Sequence, residues 1–269
     1  MAPAMLRALS AAGQTKPNFR GLELPFPLGT LALAAALVAL VPLELVQRLA
    51  SAHLLHPESL PIAVYALGVI ALGLLDDTAS LGGRSAAGSA AQPKGLRGHG
   101  GALLRGELST GALKAAGSVG LALFAMSYLK LSSGRWLLAA GVLVLATHIF
   151  NLLDLRPGRS AKAFVLVGAG LLIGSGSTRP LWSLGLFAGP ALVAGFCDLR
   201  ERAMLGDSGA SLLGALAGLW LVLTLSGTGQ LVALGLLAAL TVYGELRSIS
   251  RLIERTPGLR ELDSWGRPS

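Results

Sequence analysis

Four polar clusters punctuate an otherwise apolar chain: Asp76-Asp77, the run from Lys94 through Arg97 to His99, Asn151-Leu152-Leu153-Asp154 with Arg156 and Arg159 behind it, and Gly206-Asp207-Ser208-Gly209. Their residue types suit phosphate chemistry. Carboxylates and amides offer oxygen ligands to Mg²⁺, an ion that shares its shell with phosphates. Arg grips phosphate through paired N–H donors, and Lys acts as a point charge. Lys94, Arg97, Arg156 and Arg159 therefore read as candidate phosphate-binding cations. Asp207, flanked by glycines that permit close approach, reads as the metal ligand. Asn151 and Asp154 stand three apart, on one helix face, where they can hold a hydroxyl, a water or a metal together.

Each cluster also has a bland reading. Adjacent helical residues point about 100° apart. One of Asp76 and Asp77 can thus face a metal or phosphate while the other orients a Lys, or the pair can simply end a helix at a membrane boundary. Asp207 can be an N-cap assisted by Ser208 and Ser211. His99 can donate to a phosphate or stand in water. His148 reads as a packed polar residue. The chain has no Gly-x-x-x-x-Gly-Lys-[Ser/Thr] loop, so ATP hydrolysis by that route is unsupported.

The elements that must position these groups are membrane helices. The chain is 53% hydrophobic and 13% charged, with a mean hydropathy of +0.66, against roughly 25% charged residues in soluble domains. Its 36 glycines fit close helix packing. Leu- and Ala-rich runs lack the period-2 alternation of a membrane barrel. The reading is an all-α bundle of about eight spans, near 27–48, 60–75, 111–130, 136–153, 161–177, 180–197, 207–226 and 229–247. A basic amphipathic interfacial helix follows over 245–263, broken by Pro257-Gly258.

Threading the chain from a cytoplasmic N-terminus leaves only Arg48, Lys130, Arg135 and Arg179 of the 22 Lys and Arg residues outside, as the positive-inside rule requires. All four polar clusters then meet the cytoplasmic face, and both termini lie there. One integral-membrane domain, 1–269, is expected, with a cytoplasmic segment 1–26, a loop 76–110 and a tail 245–269. No signal-peptide pattern opens the chain. The net charge of +8 and pI near 10.4 belong to cytoplasmic loops and suit anionic lipid or nucleotide; no nucleic-acid partner is implied. The single cysteine, Cys197, excludes an internal disulfide and a Cys-based metal cluster.

The order of the clusters resembles the polyprenyl-phosphate N-acetylhexosamine-1-phosphate transferases, the family of phospho-MurNAc-pentapeptide transferase. Those proteins carry an Asp-Asp pair at a cytoplasmic helix end, a downstream Lys, Asn-x-x-Asp and a Gly-Asp at a helix start. Here these are Asp76-Asp77, Lys94, Asn151 to Asp154 and Gly206-Asp207, and the stretch from Lys16 to Gly21 looks like the family's early cytoplasmic loop. The resemblance implies Mg²⁺-dependent transfer of a sugar 1-phosphate from a UDP-sugar to a polyprenyl phosphate at the plasma membrane. UMP is released, the purpose is envelope glycan synthesis, and a homodimer is usual. It assigns Mg²⁺ to Asp207, the nucleotide or metal shell to Asp154 and Asn151, the lipid phosphate to Asp76 or Asp77, and charge neutralisation to Lys94.

The chain departs from that pattern. Where the family continues Asp-Gly-x-Asp-Gly, this chain reads Asp154-Leu-Arg-Pro-Gly-Arg159. A late His-x-His cluster is replaced by Arg247, Arg251 and Arg255, and about ten spans would be usual. The departures favour a second reading, a non-catalytic protein that binds polyprenyl phosphate or a lipid-linked sugar. A third, a small transporter, predicts ionisable residues at mid-membrane depth, which the spans nearly lack.

Overall fold

The computed structural model describes residues 1–50, 57–82 and 110–268. Helix α1 (Ala2–Ala11) leads into an antiparallel hairpin, β1 (Thr15–Pro17) and β2 (Glu23–Pro25), with Lys16 opposite Leu24. Eight long helices follow: α2 (Thr30–Leu49), α3 (Ser59–Gly82), α4 (Thr110–Ser127), α5 (Ser133–Leu153), α6 (Arg159–Ser175), α7 (Arg179–Leu199), α8 (Gly206–Thr224) and α9 (Gly227–Leu246). Two short ones, α10 (Ile249–Arg255) and α11 (Pro257–Ser264), complete the described chain. Every segment read from the sequence as a span is helical. Six of them (α2, α3, α5, α7, α8 and α9) are long and apolar enough to cross a membrane. The protein is an all-α, multi-pass type of bundle, since helices satisfy their own backbone in lipid.

The bundle is built around α8, which packs against α3, α5, α6 and α7. The sequence of α8 explains its place. Gly209, Gly214 and Gly218 leave grooves for neighbouring backbones; a Cβ on Gly214 would lie 2.7 Å from the Ala146 carbonyl and the Thr147 Cα of α5. Helices in lipid gain little from apolar burial against each other, so this close contact supplies the attraction. Tyr65 of α3 and Thr147 of α5 share a buried hydrogen bond of 3.0 Å. The peripheral helices α2 and α9 keep exposed apolar faces, including Val41, Leu45, Leu236 and Val242, as lipid contact demands.

Three boundaries differ from the sequence reading. Helix α3 does not stop at residue 75 but runs through Asp76-Asp77 to Gly82, because those carboxylates find partners on neighbouring helices. The segment 1–26 carries a helix and a hairpin. The tail is two short helices: Arg247 is extended, Ser248 accepts the Arg251 N–H as N-cap, and Pro257 opens α11, a position where its missing N–H costs nothing.

Candidate active site

The N-terminus of α8 is the point on which the site converges. The first N–H groups of a helix lack internal partners. Here Asp77 supplies them: its Oδ1 accepts the Asp207 N–H at 2.8 Å and its Oδ2 the Ser208 N–H at 3.0 Å. Asp77 is 3% exposed. Gly73, one turn earlier on α3, lets the helices meet, since a Cβ there would fall 2.4 Å from the Ser208 Cα. Gly206 turns the chain into α8 at φ +76°, a conformation side chains resist.

With the cap supplied by Asp77, the Asp207 side chain is free to turn away. It meets the ammonium of Lys114 on α4, which also lies 3.7 Å from Asp76. Asp76 and Asp207 are themselves within hydrogen-bonding reach. Lys16, from β1, adds its charge from nearby; its Nζ stands 4.6 Å above the Phe26 ring and 3.5 Å from the Ser80 hydroxyl. Lys114 is only 15% exposed and Asp207 40%, so the pair sits at a mouth, half in water.

That mouth opens into a groove of about 340 Å³ between α4, α5 and α9. Asp76, Lys114 and Asn151 stand at its polar end, and Val119, Val144 and Leu145 form apolar wall. The Asn151 amide oxygen accepts the Ser211 hydroxyl of α8 at 3.0 Å.

Asp154 belongs to a different space. Helix α5 ends at Leu153, and Asp154 leaves helical geometry at ψ 39°. It therefore does not share Asn151's groove, as an unbroken helix would require. It lines a cavity of about 50 Å³ with Phe19, Arg156 and Asp198. Among the described residues its one side-chain donor is the Ser160 hydroxyl at 3.5 Å. Burial first, then the charges of Asp198, Asp207 and Asp77, push its carboxyl well above the ordinary range. Asp198, buried on α7, accepts the Gly158 N–H at 2.7 Å and the Leu205 N–H at 3.2 Å, joining the segments that hold Asp154 and Asp207.

The two candidate arginines part company. Arg156 stacks 4.5 Å from the Phe19 ring, pairs with Glu254 at 3.6 Å and faces the Asp154 cavity. Arg159 is 5% exposed and binds Asp263 through Nε at 2.7 Å and a terminal nitrogen at 3.0 Å, and Ser250 at 2.7 Å. It fastens the tail rather than facing either cavity. Lys94, Arg97 and His99 lie outside the described residues.

Two members of the assembly were not singled out in the sequence as site residues, Lys114 and Asp198. The available signal was the same for both, a charge inside an apolar run, where it is costly without a purpose. Among the described residues, no group of three or more His, Cys, Asp and Glu converges on a metal position. Asp207 and Asp76 are two oxygen-donor carboxylates of the kind Mg²⁺ takes, and both lie against the Lys114 ammonium.

No family model, curated protein or solved structure matches this chain.

Proposed function

We propose that the protein is a phosphoglycosyl transferase, moving a sugar 1-phosphate from a UDP-sugar to a polyprenyl phosphate and releasing UMP. The observation that carries this reading is the Asp76–Lys114–Asp207 cluster at the mouth of an apolar groove. A lipid phosphate needs both features, a cation for its head and an apolar channel for its chain. The resemblance of the motif order to the polyprenyl-phosphate hexosamine-1-phosphate transferases supports it independently.

In this reading Lys114 binds the acceptor phosphate and Asn151 orients it. Asp76, at the groove, stands on the acceptor side, while Asp77 keeps α8 in place. Asp207 and Asp76 would hold Mg²⁺, which when bound neutralises the donor diphosphate and stabilises its leaving charge. The Lys114 ammonium lies against both carboxylates and neutralises their charge. Arg156 and Phe19, at the rim of the small cavity beside Asp154, are the cation and aromatic ring to which we assign the donor nucleotide. The eight long helices would all span the plasma membrane, with both termini and this site in the cytoplasm.

A binding-only protein is the second reading. Lys114 closing on Asp207, and Asp77 and Asp198 committed to backbone groups, favour it. The deciding experiment is UMP release by purified protein with undecaprenyl phosphate, Mg²⁺ and a panel of UDP-sugars, beside Asp207→Asn. Release that needs lipid, metal and Asp207 establishes the transferase. Lipid-phosphate binding without release across the panel establishes the second reading.

A further inference from the structure

Where α9 ends, the surface opens into a groove of about 690 Å³ lined by Tyr243, Glu245, Arg247, Ser248, Arg251 and Arg255. Arg251 and Arg255 are one turn apart on α10, and Arg247 lies just before its cap. Like charges so spaced repel. Several other cations at this end have carboxylate partners: Arg20 has Glu201, Arg156 has Glu254, and Arg159 and Arg267 share Asp263. The guanidinium groups of Arg247, Arg251 and Arg255 meet no carboxylate at ion-pair distance among the described residues. Glu254, on the same short helix, is engaged by Arg156, and Glu245 faces His148 at 3.8 Å. The groove thus holds concentrated positive charge at the end of an apolar helix.

Its surroundings indicate what brings the anion. The outer face of α9 exposes Leu236, Val242 and Leu246 along the approach to the arginines, and α10 adds Leu252. A free phosphate would use only the guanidinium groups. A phospholipid would use both surfaces, its phosphodiester on the arginines and its acyl chains along α9. We propose that this groove is a binding site for an anionic phospholipid. The site adjoins the Lys114 groove, with which it shares Glu245, and rests on the membrane-bundle fold alone. It would hold α10 and α11 against the bilayer, and through Glu254 and Asp263 the loop bearing Arg156 and Arg159 as well.

The test is native mass spectrometry on the full-length protein in mild detergent, titrated with phosphatidylglycerol, phosphatidylcholine or inorganic phosphate. The variants are Arg247→Gln, Arg251→Gln and Arg255→Gln, singly and combined. The wild type is expected to retain phosphatidylglycerol over phosphatidylcholine. Each single change should weaken that binding about fivefold, and the triple change about a hundredfold. A triple Arg→Lys variant, keeping the charge, should recover most of it and so separates lost binding from lost folding. Arg7→Gln and Arg260→Gln remove charge elsewhere and should bind as wild type. Equal retention of phosphatidylglycerol by the triple Gln variant would overturn the proposal. So would equal losses in the two control variants, or inorganic phosphate binding at the arginines with no preference for the anionic lipid.

Discussion

Asp77 closes the N-terminus of the helix that carries Asp207, 130 residues further along the chain, by accepting the N–H groups of Asp207 and Ser208. The adjacent Asp76 points instead toward Lys114 and the apolar groove. Neighbouring carboxylates on one helix thus have different surroundings, one capping α8 and one lining the groove beside Lys114.

This division predicts opposite phenotypes. Asp77→Ala leaves two buried N–H groups without partners and should lower stability by about 1–3 kcal/mol, read as a fall in unfolding temperature in detergent. Asp77→Asn keeps one acceptor and should fall between. Asp76→Asn should unfold like wild type yet lose at least tenfold in UMP release. Reversed phenotypes would exchange the two assignments.

Lys114→Met removes the cation shared by Asp76 and Asp207. Two close carboxylates then repel, and under the proposed function the lipid phosphate loses a charge-assisted contact of roughly 1.5–3 kcal/mol. Binding of undecaprenyl phosphate, measured by native mass spectrometry, should weaken about ten- to hundredfold. Lys114→Arg should retain part of it. Unchanged binding in Lys114→Met would move the acceptor site elsewhere.

The helices were legible in the sequence because lipid imposes a length and a composition on a span. The meeting of Asp76, Asp77, Asn151 and Asp207 at one end followed from alternating direction. What could not be read was which side chain faces which neighbour. Asp77 and Asp207 are distant in sequence, and their contact depends on Gly73 and Gly206 setting the approach of two helices. The split between Asn151 and Asp154 turns on one residue of helix termination, finer than hydropathy resolves. Arg159 looked like a phosphate ligand because its partner, Asp263, lies in a tail whose course no local pattern gives.

Asp263 makes that tail sensitive to acid. Burial alone would raise its carboxyl, but hydrogen bonds and charges from Arg159 and Arg267 hold it below the ordinary value. A group with a depressed folded value contributes stability above its unfolded value, about 3.9, and loses it as pH falls through the folded one. The tail should therefore stay docked at neutral pH and loosen progressively below about pH 4. Hydrogen exchange across 249–267 should rise over that window. Asp263→Asn should show the fast exchange already at pH 7 and lose the pH dependence.

Asp198 offers the sharpest separation of positioning from chemistry. Its carboxylate accepts N–H groups from Gly158 and Leu205, so one buried side chain fixes both the loop after Asp154 and the turn before Asp207. It does not face the Lys114 groove. Asp198→Ala should cost about 1–3 kcal/mol from the two unpartnered N–H groups and loosen exchange in both segments together. Asp198→Asn, which can accept only one of them at full strength, should fold but move the donor and acceptor halves of the site relative to each other. Under the proposed function the KM for the UDP-sugar should then rise, while affinity for undecaprenyl phosphate, which that reading assigns to Lys114 and Asn151, stays near wild type. If both affinities fell equally in Asp198→Asn, the residue would be supporting the whole bundle and not the junction between the two cavities.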